Sequence, residues 1–180
     1  GGSWAPAAAD PQGAAVLLEE VGRLLGRNLE TGGGPHLTLT VPAGDAVFDR
    51  AGETVAGLLA AAGIAAEVQA EDPARYYGDT LPEGTWDTAL LALSCGAGAA
   101  PVAEVLRLFD PAGVPPAGAN LTRWGAPGTA GAGDPAAAEF AAILEAAQGA
   151  ATPVAREAAL EQASDLLAEE VVVIPLAATR

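Results

Sequence analysis

The 180-residue chain contains no lysine and no methionine, and its only side-chain cations besides one histidine are eight arginines against 23 acidic residues. The formal net charge of −15 repels phosphate backbones and anionic lipid headgroups, so we expect no nucleic-acid partner and no direct binding to a membrane surface. No apolar run approaches the roughly 18 residues that a membrane-spanning helix needs.

Gly1-Gly2-Ser3 is typical of a cut chain, so we expect a piece of a longer protein, with residues 1–9 disordered or vector-derived and any signal peptide upstream.

Cysteine and histidine, the residues richest in chemistry, occur only once each, as Cys95 and His36. A single cysteine excludes a disulfide within this sequence. His36 precedes one predicted strand and Cys95 follows another, so parallel strands would hold them too far apart for proton transfer. The acidic pairs are adjacent in sequence and therefore point to different sides of an element, unlike the ligands of a metal. The sequence predicts no catalytic residue, no metal site and no cofactor.

Strand patterns alternate with helix patterns along the chain, which is typical of the α/β class. Period-2 or continuous apolar runs predict strands at 36–41, 64–69, 87–94 and 171–174. Strand 87–94 is expected to be central because both of its faces are apolar. Capping residues or helix-initiating prolines mark the predicted helix starts at Asp10-Pro11, Asp45, Pro101, Asp134-Pro135 and Thr152-Pro153. We therefore expect a mixed or parallel sheet with helices packed on it.

The 3.6-residue spacing of apolar side chains predicts which face of each helix is buried. For the two N-terminal helices the predicted inward residues include Leu17, Leu18, Val47, Phe48, Ala51, Val55 and Leu58. For the helix at Pro101 they are Val102, Val105, Leu106 and Phe109. For the last two helices they are Phe140, Ile143, Leu144, Ala147, Leu160, Ala163, Leu166 and Leu167.

Two segments are candidates for binding a ligand. The glycine-rich turn that begins at Gly96 follows a predicted strand, at the edge where α/β sheets bind ligands, although it lacks a complete phosphate-binding motif. It is interpreted either as a backbone-lined binding edge or as a plain strand-to-helix turn. Residues 110–133 form a long predicted loop, in which Trp124 beside Asn120 could line a pocket or simply fasten the loop. The candidate ligand-binding residues are Ser94, Cys95, Gly96, Asn120 and Trp124.

Six short motifs occur in an order that carries more information than any one of them. They are Asp10-Pro11 with Leu17-Leu18, then the stretches 37–42, 58–68, 77–90, 120–135 and 169–176. This ordered set resembles the family 5 extracellular solute-binding proteins, the peptide- and nickel-binding receptors of ABC importers. The resemblance implies that residues 1–180 are the C-terminal lobe of a two-lobed, periplasmic-binding-protein-like (type II) fold. It also implies a small-molecule or peptide solute, a membrane permease and an N-terminal lobe as partners, with an extracellular, lipoprotein-anchored location.

The sequence departs from the peptide-binding members of that family at one position. Those relatives have an acidic residue shortly after the strand that corresponds to 88–94, whereas this chain has Ser94-Cys95-Gly96 and no carboxylate before Glu104. A buried ligand ammonium would lack its partner there, so a neutral or N-blocked solute is expected. Two alternatives stay open: an envelope lipoprotein of the same fold with a regulatory or biogenesis role, and a cytoplasmic transcription regulator that carries a solute-binding module.

Overall fold

The computed structural model describes residues 10–24, 35–93, 101–127, 129 and 132–176. These residues belong to two compact units, one within Ala7–Ala92 and the other within Leu93–Arg180. We call them the sheet unit and the helical unit. In the part of the chain that the structure describes, no helix combines the length and apolar character required to cross a membrane.

The sheet unit is built on three parallel strands. In chain order it contains α1 (Pro11–Leu24), β1 (His36–Pro42), α2 (Ala46–Ala61), β2 (Ala65–Glu71), α3 (Pro73–Arg75), a π-helical turn (Tyr76–Thr80), α4 (Leu81–Glu83) and β3 (Thr88–Ala89). The strand order is β2-β1-β3, with Leu39 opposite Val68 on one side and Thr88 on the other. A helix between parallel neighbours is the βαβ arrangement, so the predicted α/β class is confirmed.

The core of the sheet unit lies between β1 and one face of α2. Leu39 and Val41 are fully buried on β1, and Phe48, Ala51 and Val55 of α2 are among the side chains that cover them. The centre of this contact is Gly52, where an added Cβ would lie 3.1 Å from Val68 and 3.3 Å from Val41. A glycine at this point lets the helix backbone approach the sheet closely.

Both ends of α2 follow the local signals in the sequence. The Asp45 carboxylate accepts a hydrogen bond from the backbone N–H of Val47 at 2.8 Å, which satisfies one free donor of the first turn. At the other end Gly63 has a φ of +86°, the left-handed conformation that commonly follows a helix. The predicted start of this helix at Asp45 is confirmed.

The helical unit contains α5 (Pro101–Arg107), a 3₁₀ turn (Pro111–Gly113), α6 (Pro135–Gly149) and α7 (Pro153–Glu169). Asp134 and Thr152 cap the last two helices, accepting from the N–H groups of Ala136 and Ala155. The core consists of buried apolar side chains from all three helices and the segment after α5: Leu106, Phe109, Phe140, Ile143, Leu144, Ala163 and Leu167. The predicted inward residues Leu160 and Leu166 pack against this core, so the predicted faces of α6 and α7 are confirmed.

Two strand predictions are wrong. Of the described residues 87–93 in the predicted strand 87–94, only Thr88–Ala89 pairs, and this pair forms an edge of the described sheet because β1 occupies the centre. Residues 171–174 form no strand: α7 ends at Glu169 and Val171 turns the chain with a φ of +52°. The apolar run at 171–174 instead places Val172 and Val173 against the helical core. Apolar character alone does not separate a strand from a segment that folds back onto a helix.

Some predicted inward residues are exposed. Leu17 on α1, Val47 and Leu58 on α2, and Val102 on α5 each keep more than half of their surface accessible. On α2 the residues that pack on the sheet are Phe48, Ala51, Gly52 and Val55, a stripe one or two residues wide on each turn. The spacing predicted this stripe, but it also assigned Val47 and Leu58, on the borders of the stripe, to the buried face.

Candidate functional site

The structure describes two of the five candidate ligand-binding residues. Ser94, Cys95 and Gly96 lie outside the described residues. Asn120 and Trp124 belong to the segment between α5 and α6 of the helical unit.

Asn120 is completely buried, and its side-chain amide joins four points of this segment. Its Nδ2 donates to the backbone carbonyls of Asp110 at 3.0 Å and Trp124 at 3.5 Å. Its Oδ1 accepts from the Thr122 hydroxyl at 2.7 Å and from the Arg123 backbone N–H at 3.1 Å. Two donors and two lone pairs are the full capacity of an amide, so Asn120 is satisfied within the protein.

Trp124 is half-buried and is held by a hydrogen bond and by an aromatic contact. The indole N–H donates to the Asp134 carboxylate at 2.9 Å. The ring packs on Phe140 of α6, with centroids 5.4 Å apart and an interplanar angle of 59°. Asp134 therefore serves two partners, since its other oxygen accepts from the N–H of Ala136 at the start of α6.

The backbone next to Trp124 admits only glycine. Gly125 has a φ of +73°, and a Cβ at this position would lie 2.5 Å from the Ala137 Cβ and 3.1 Å from the Pro111 Cβ. The segment thus crosses the first turn of α6 at contact distance. Glycine and the Trp124–Asp134 hydrogen bond together anchor this part of the long loop to the helix.

These contacts indicate different roles for Asn120 and Trp124. Asn120 shapes the loop from inside, where no solute reaches it without a rearrangement. Trp124 is half-buried, and an anchored aromatic ring is a common wall of a small-molecule site. Direct contact of either residue with a ligand stays a prediction.

Sequence reasoning did not identify Thr122, Gly125 and Asp134 as parts of this arrangement. A threonine two residues after an asparagine is a recognisable turn signal. Asp134 was predicted as a helix cap, but its second bond reaches a residue ten positions earlier, and no local pattern encodes that contact.

Among the described residues of the sheet unit, Tyr76 is the one titratable group whose pKa is strongly shifted. The Tyr76 hydroxyl, buried with the rest of its side chain, donates to the Leu90 carbonyl at 2.5 Å. Burial raises the pKa of Tyr76 well above its ordinary value, and nearby Tyr77 and Glu71 act in the same direction. The raised pKa keeps this hydroxyl a neutral hydrogen-bond donor, which fits a structural link between the π-helical turn and the end of β3.

The described residues contain no group of three or more histidine, cysteine, aspartate or glutamate side chains placed to hold a metal ion. His36 is exposed and lies at the first position of β1. Cys95 lies outside the described residues, so the distance predicted to separate these two side chains stays a prediction.

A three-stranded parallel sheet with its crossover helices, followed by a helical unit, defines an α/β fold that this chain shares with periplasmic binding proteins. NikA from Brucella suis, solved in complex with Fe(III)-EDTA, matches 94% of this chain with 24% identity and a TM-score of 0.69. MelB from Agrobacterium fabrum, a periplasmic binding protein solved with stachyose, matches 91% with 20% identity and a TM-score of 0.69. MppA, a periplasmic murein tripeptide binding protein in its unliganded open form, matches 88% with 17% identity and a TM-score of 0.64.

The chain spans only 25–32% of the length of these three proteins. No protein-family model matches it, and no curated protein does either. At these identities the similarity establishes the fold.

Proposed function

We propose that this chain is the C-terminal lobe of a family 5 solute-binding protein, and that it forms one wall of a cleft for a small solute delivered to an ABC-type importer. The single observation that carries the proposal is the likeness in fold, over 88–94% of the chain, to three binding proteins. Their bound or named ligands are a metal chelate, an oligosaccharide and a peptide. The order of six family-like motifs supports the same assignment.

The proposed role is binding without catalysis, on the outer side of the membrane and in a lipoprotein-anchored protein. A second lobe supplies the opposite wall, and the two close over the solute as rigid bodies. On this lobe the wall comprises Ser94, Cys95, Gly96 and Trp124, with Asn120 acting through the loop that it shapes. The Trp124–Asp134 hydrogen bond supports this arrangement because it presents the ring in a fixed orientation.

The proposed solute is neutral or blocked at its amino group. No carboxylate occurs between Asp87 and Glu104 in the sequence, so the part of the wall formed by Ser94, Cys95 and Gly96 offers hydrogen bonds but no partner for an ammonium group. A buried and unpaired ammonium would forfeit several kcal/mol of affinity, on the order of the desolvation cost of an ion.

The test is a calorimetric solute screen on the longest natural chain that contains these 180 residues, with the 180-residue chain in parallel. The panel comprises di- and tripeptides, their N-acetylated forms, oligosaccharides and metal chelates. We expect a neutral or N-blocked member to bind the longer chain, and to bind the 180-residue chain far more weakly because one wall encloses little of it.

Trp124→Ala is expected to lower the affinity of the longer chain about ten-fold. Thr54→Ala, on an exposed turn of α2, is the control and leaves it unchanged.

Several results would contradict the proposal. If no solute binds the longer chain, a regulatory or biogenesis role in the envelope becomes the better assignment. If a free-amine peptide binds more tightly than its N-acetylated form, the ligand class is wrong. A turnover that disappears in Cys95→Ala would show that the protein is an enzyme.

A further inference from the structure

The helical unit contains a solvent-open cavity of about 330 Å³, lined by residues of α5, α6 and α7 and by neither Asn120 nor Trp124. Its apolar part is formed by Leu144, Ala147 and Leu160, of which the first two are almost completely buried. This volume falls at the lower end of the range typical of small-molecule sites.

Two arginines line the same cavity, Arg107 at the end of α5 and Arg156 in the first turn of α7. The chain has only eight cationic side chains besides its histidine, and 23 acidic ones. None of the described residues that line the cavity is acidic. The lining of the cavity is therefore positively charged in a protein of net charge −15, and both guanidinium groups belong to solvent-exposed residues.

The hydrogen bonds of these arginines leave most of their donors available. The Arg156 Nε donates to the carbonyl of Ala147 at 3.3 Å, which anchors the guanidinium near the end of α6. Within the described part of the chain neither arginine is held in an ion pair. A guanidinium offers five N–H donors in a planar fork that matches the geometry of a carboxylate.

From this combination we infer a second binding site, for a small amphiphilic carboxylate whose charged head meets Arg107 and Arg156 and whose apolar chain lies over Leu144, Ala147 and Leu160. The inference is independent of the proposed solute cleft, because it uses none of the residues assigned to that wall. The amide of Gln148, which also lines the cavity, adds a polar group at its edge.

The experiment is a titration of the ¹⁵N-labelled 180-residue chain with octanoate, followed by amide chemical shifts. The matched probes are octan-1-ol, which keeps the chain and lacks the charge, and acetate, which keeps the charge and lacks the chain. We expect saturable octanoate shifts centred on Ala103, Arg107, Gln148 and Arg156. The affinities for octanol and acetate are expected to be at least about ten-fold weaker, since each lacks one of the two interactions.

Two variants test separately the charge of Arg107 and the free volume of the cavity. Arg107→Gln should weaken octanoate binding about ten-fold, the scale of one lost charge-assisted hydrogen bond. Ala103→Leu should also weaken binding, since it fills the cavity while retaining both arginines. Arg50→Gln, an exposed arginine on α2 of the sheet unit, removes the same charge and should leave binding unchanged. Circular dichroism melting confirms that each variant is folded.

The inference is overturned if octanoate causes no saturable shifts at these residues, or if octanol or acetate binds equally well. An unchanged octanoate affinity in both Arg107→Gln and Ala103→Leu also overturns it. Tighter binding of an acidic peptide than of octanoate at the same residues would show a docking surface for an acidic segment instead of a small-molecule site.

Discussion

The helical unit and the sheet unit bury their helices in different ways. On α6 and α7 every residue predicted to face inward is buried or packs on the core, including Phe140 and Ala163. On α2 of the sheet unit only a narrow stripe around Gly52 meets the sheet, and Val47 and Leu58 remain exposed. Helices that pack on helices interlock along a broad apolar face, whereas α2 touches one face of a three-stranded sheet. Side-chain spacing therefore predicts burial better on α6 and α7 than on α2, although Val102 of α5 is exposed within the helical unit.

The largest expected difference between the two units is in the free energy of unfolding lost when an aromatic residue of each core is replaced by alanine. Phe140→Ala should lower the free energy of unfolding by about 3–5 kcal/mol, because a fully buried ring leaves a cavity that helices cannot refill. Phe48→Ala, at a half-buried position on α2, should cost roughly 1–2 kcal/mol because less apolar surface is lost. Amide hydrogen exchange, read from residues of the unit that carries each substitution, measures both. Equal losses would remove the distinction between the two cores.

A smaller effect separates two glycines of the helical unit that have the same backbone conformation. Gly125→Ala should cost about 2–4 kcal/mol, since the strain of a positive φ adds to a clash with Ala137 and Pro111. Gly133 also has a positive φ, of +78°, but the space around its Cβ position is open. Gly133→Ala should therefore cost only about 1 kcal/mol. Urea unfolding of the two variants gives the difference. If Gly125→Ala is no worse than Gly133→Ala, the loop does not cross α6 at contact distance.

The smallest expected effect concerns the sheet unit and depends on pH. Tyr76→Phe should cost about 1 kcal/mol at neutral pH, since it removes the hydrogen bond to the Leu90 carbonyl. The pKa of Tyr76 is raised in the folded protein, so its contribution is complete below the ordinary tyrosine pKa of about 10. Above that pH the unfolded chain releases the proton first, and stability falls as pH rises further.

Thermal unfolding between neutral pH and pH 11 tests this dependence. Tyr76→Phe should reduce the alkaline loss of stability. Tyr77→Phe should reduce it by less, because Tyr77, edge-on to Tyr76 with centroids 4.9 Å apart, raises the pKa of Tyr76 less than burial does. An alkaline loss that is unchanged in Tyr76→Phe would mean that this hydroxyl does not titrate differently in the two states.

For the candidate site, as for the fold, the sequence indicated individual residues but not the contacts between distant parts of the chain. The sequence indicated Asn120 and Trp124 as notable residues of a long loop, because polar and aromatic residues are scarce there. It could not indicate that Asn120 uses its whole hydrogen-bonding capacity inside the loop, since its partners include the distant carbonyl of Asp110. The arginine-lined cavity was not predicted at all, because Arg107 and Arg156 lie on helices that only the fold brings together.

The sequence by itself determined where α2, α6 and α7 begin, because each cap is made by Asp45, Asp134 or Thr152 to an N–H group at most three residues away. It also determined the α/β class, since a strand, a helix and a second strand follow each other within about 35 residues, the usual length of a βαβ unit. The tertiary structure alone decided that β1 is central in the described sheet and that residues 171–174 form a turn and a packed segment. Strand order and burial depend on contacts between residues far apart in sequence, and apolar composition is common to every buried alternative.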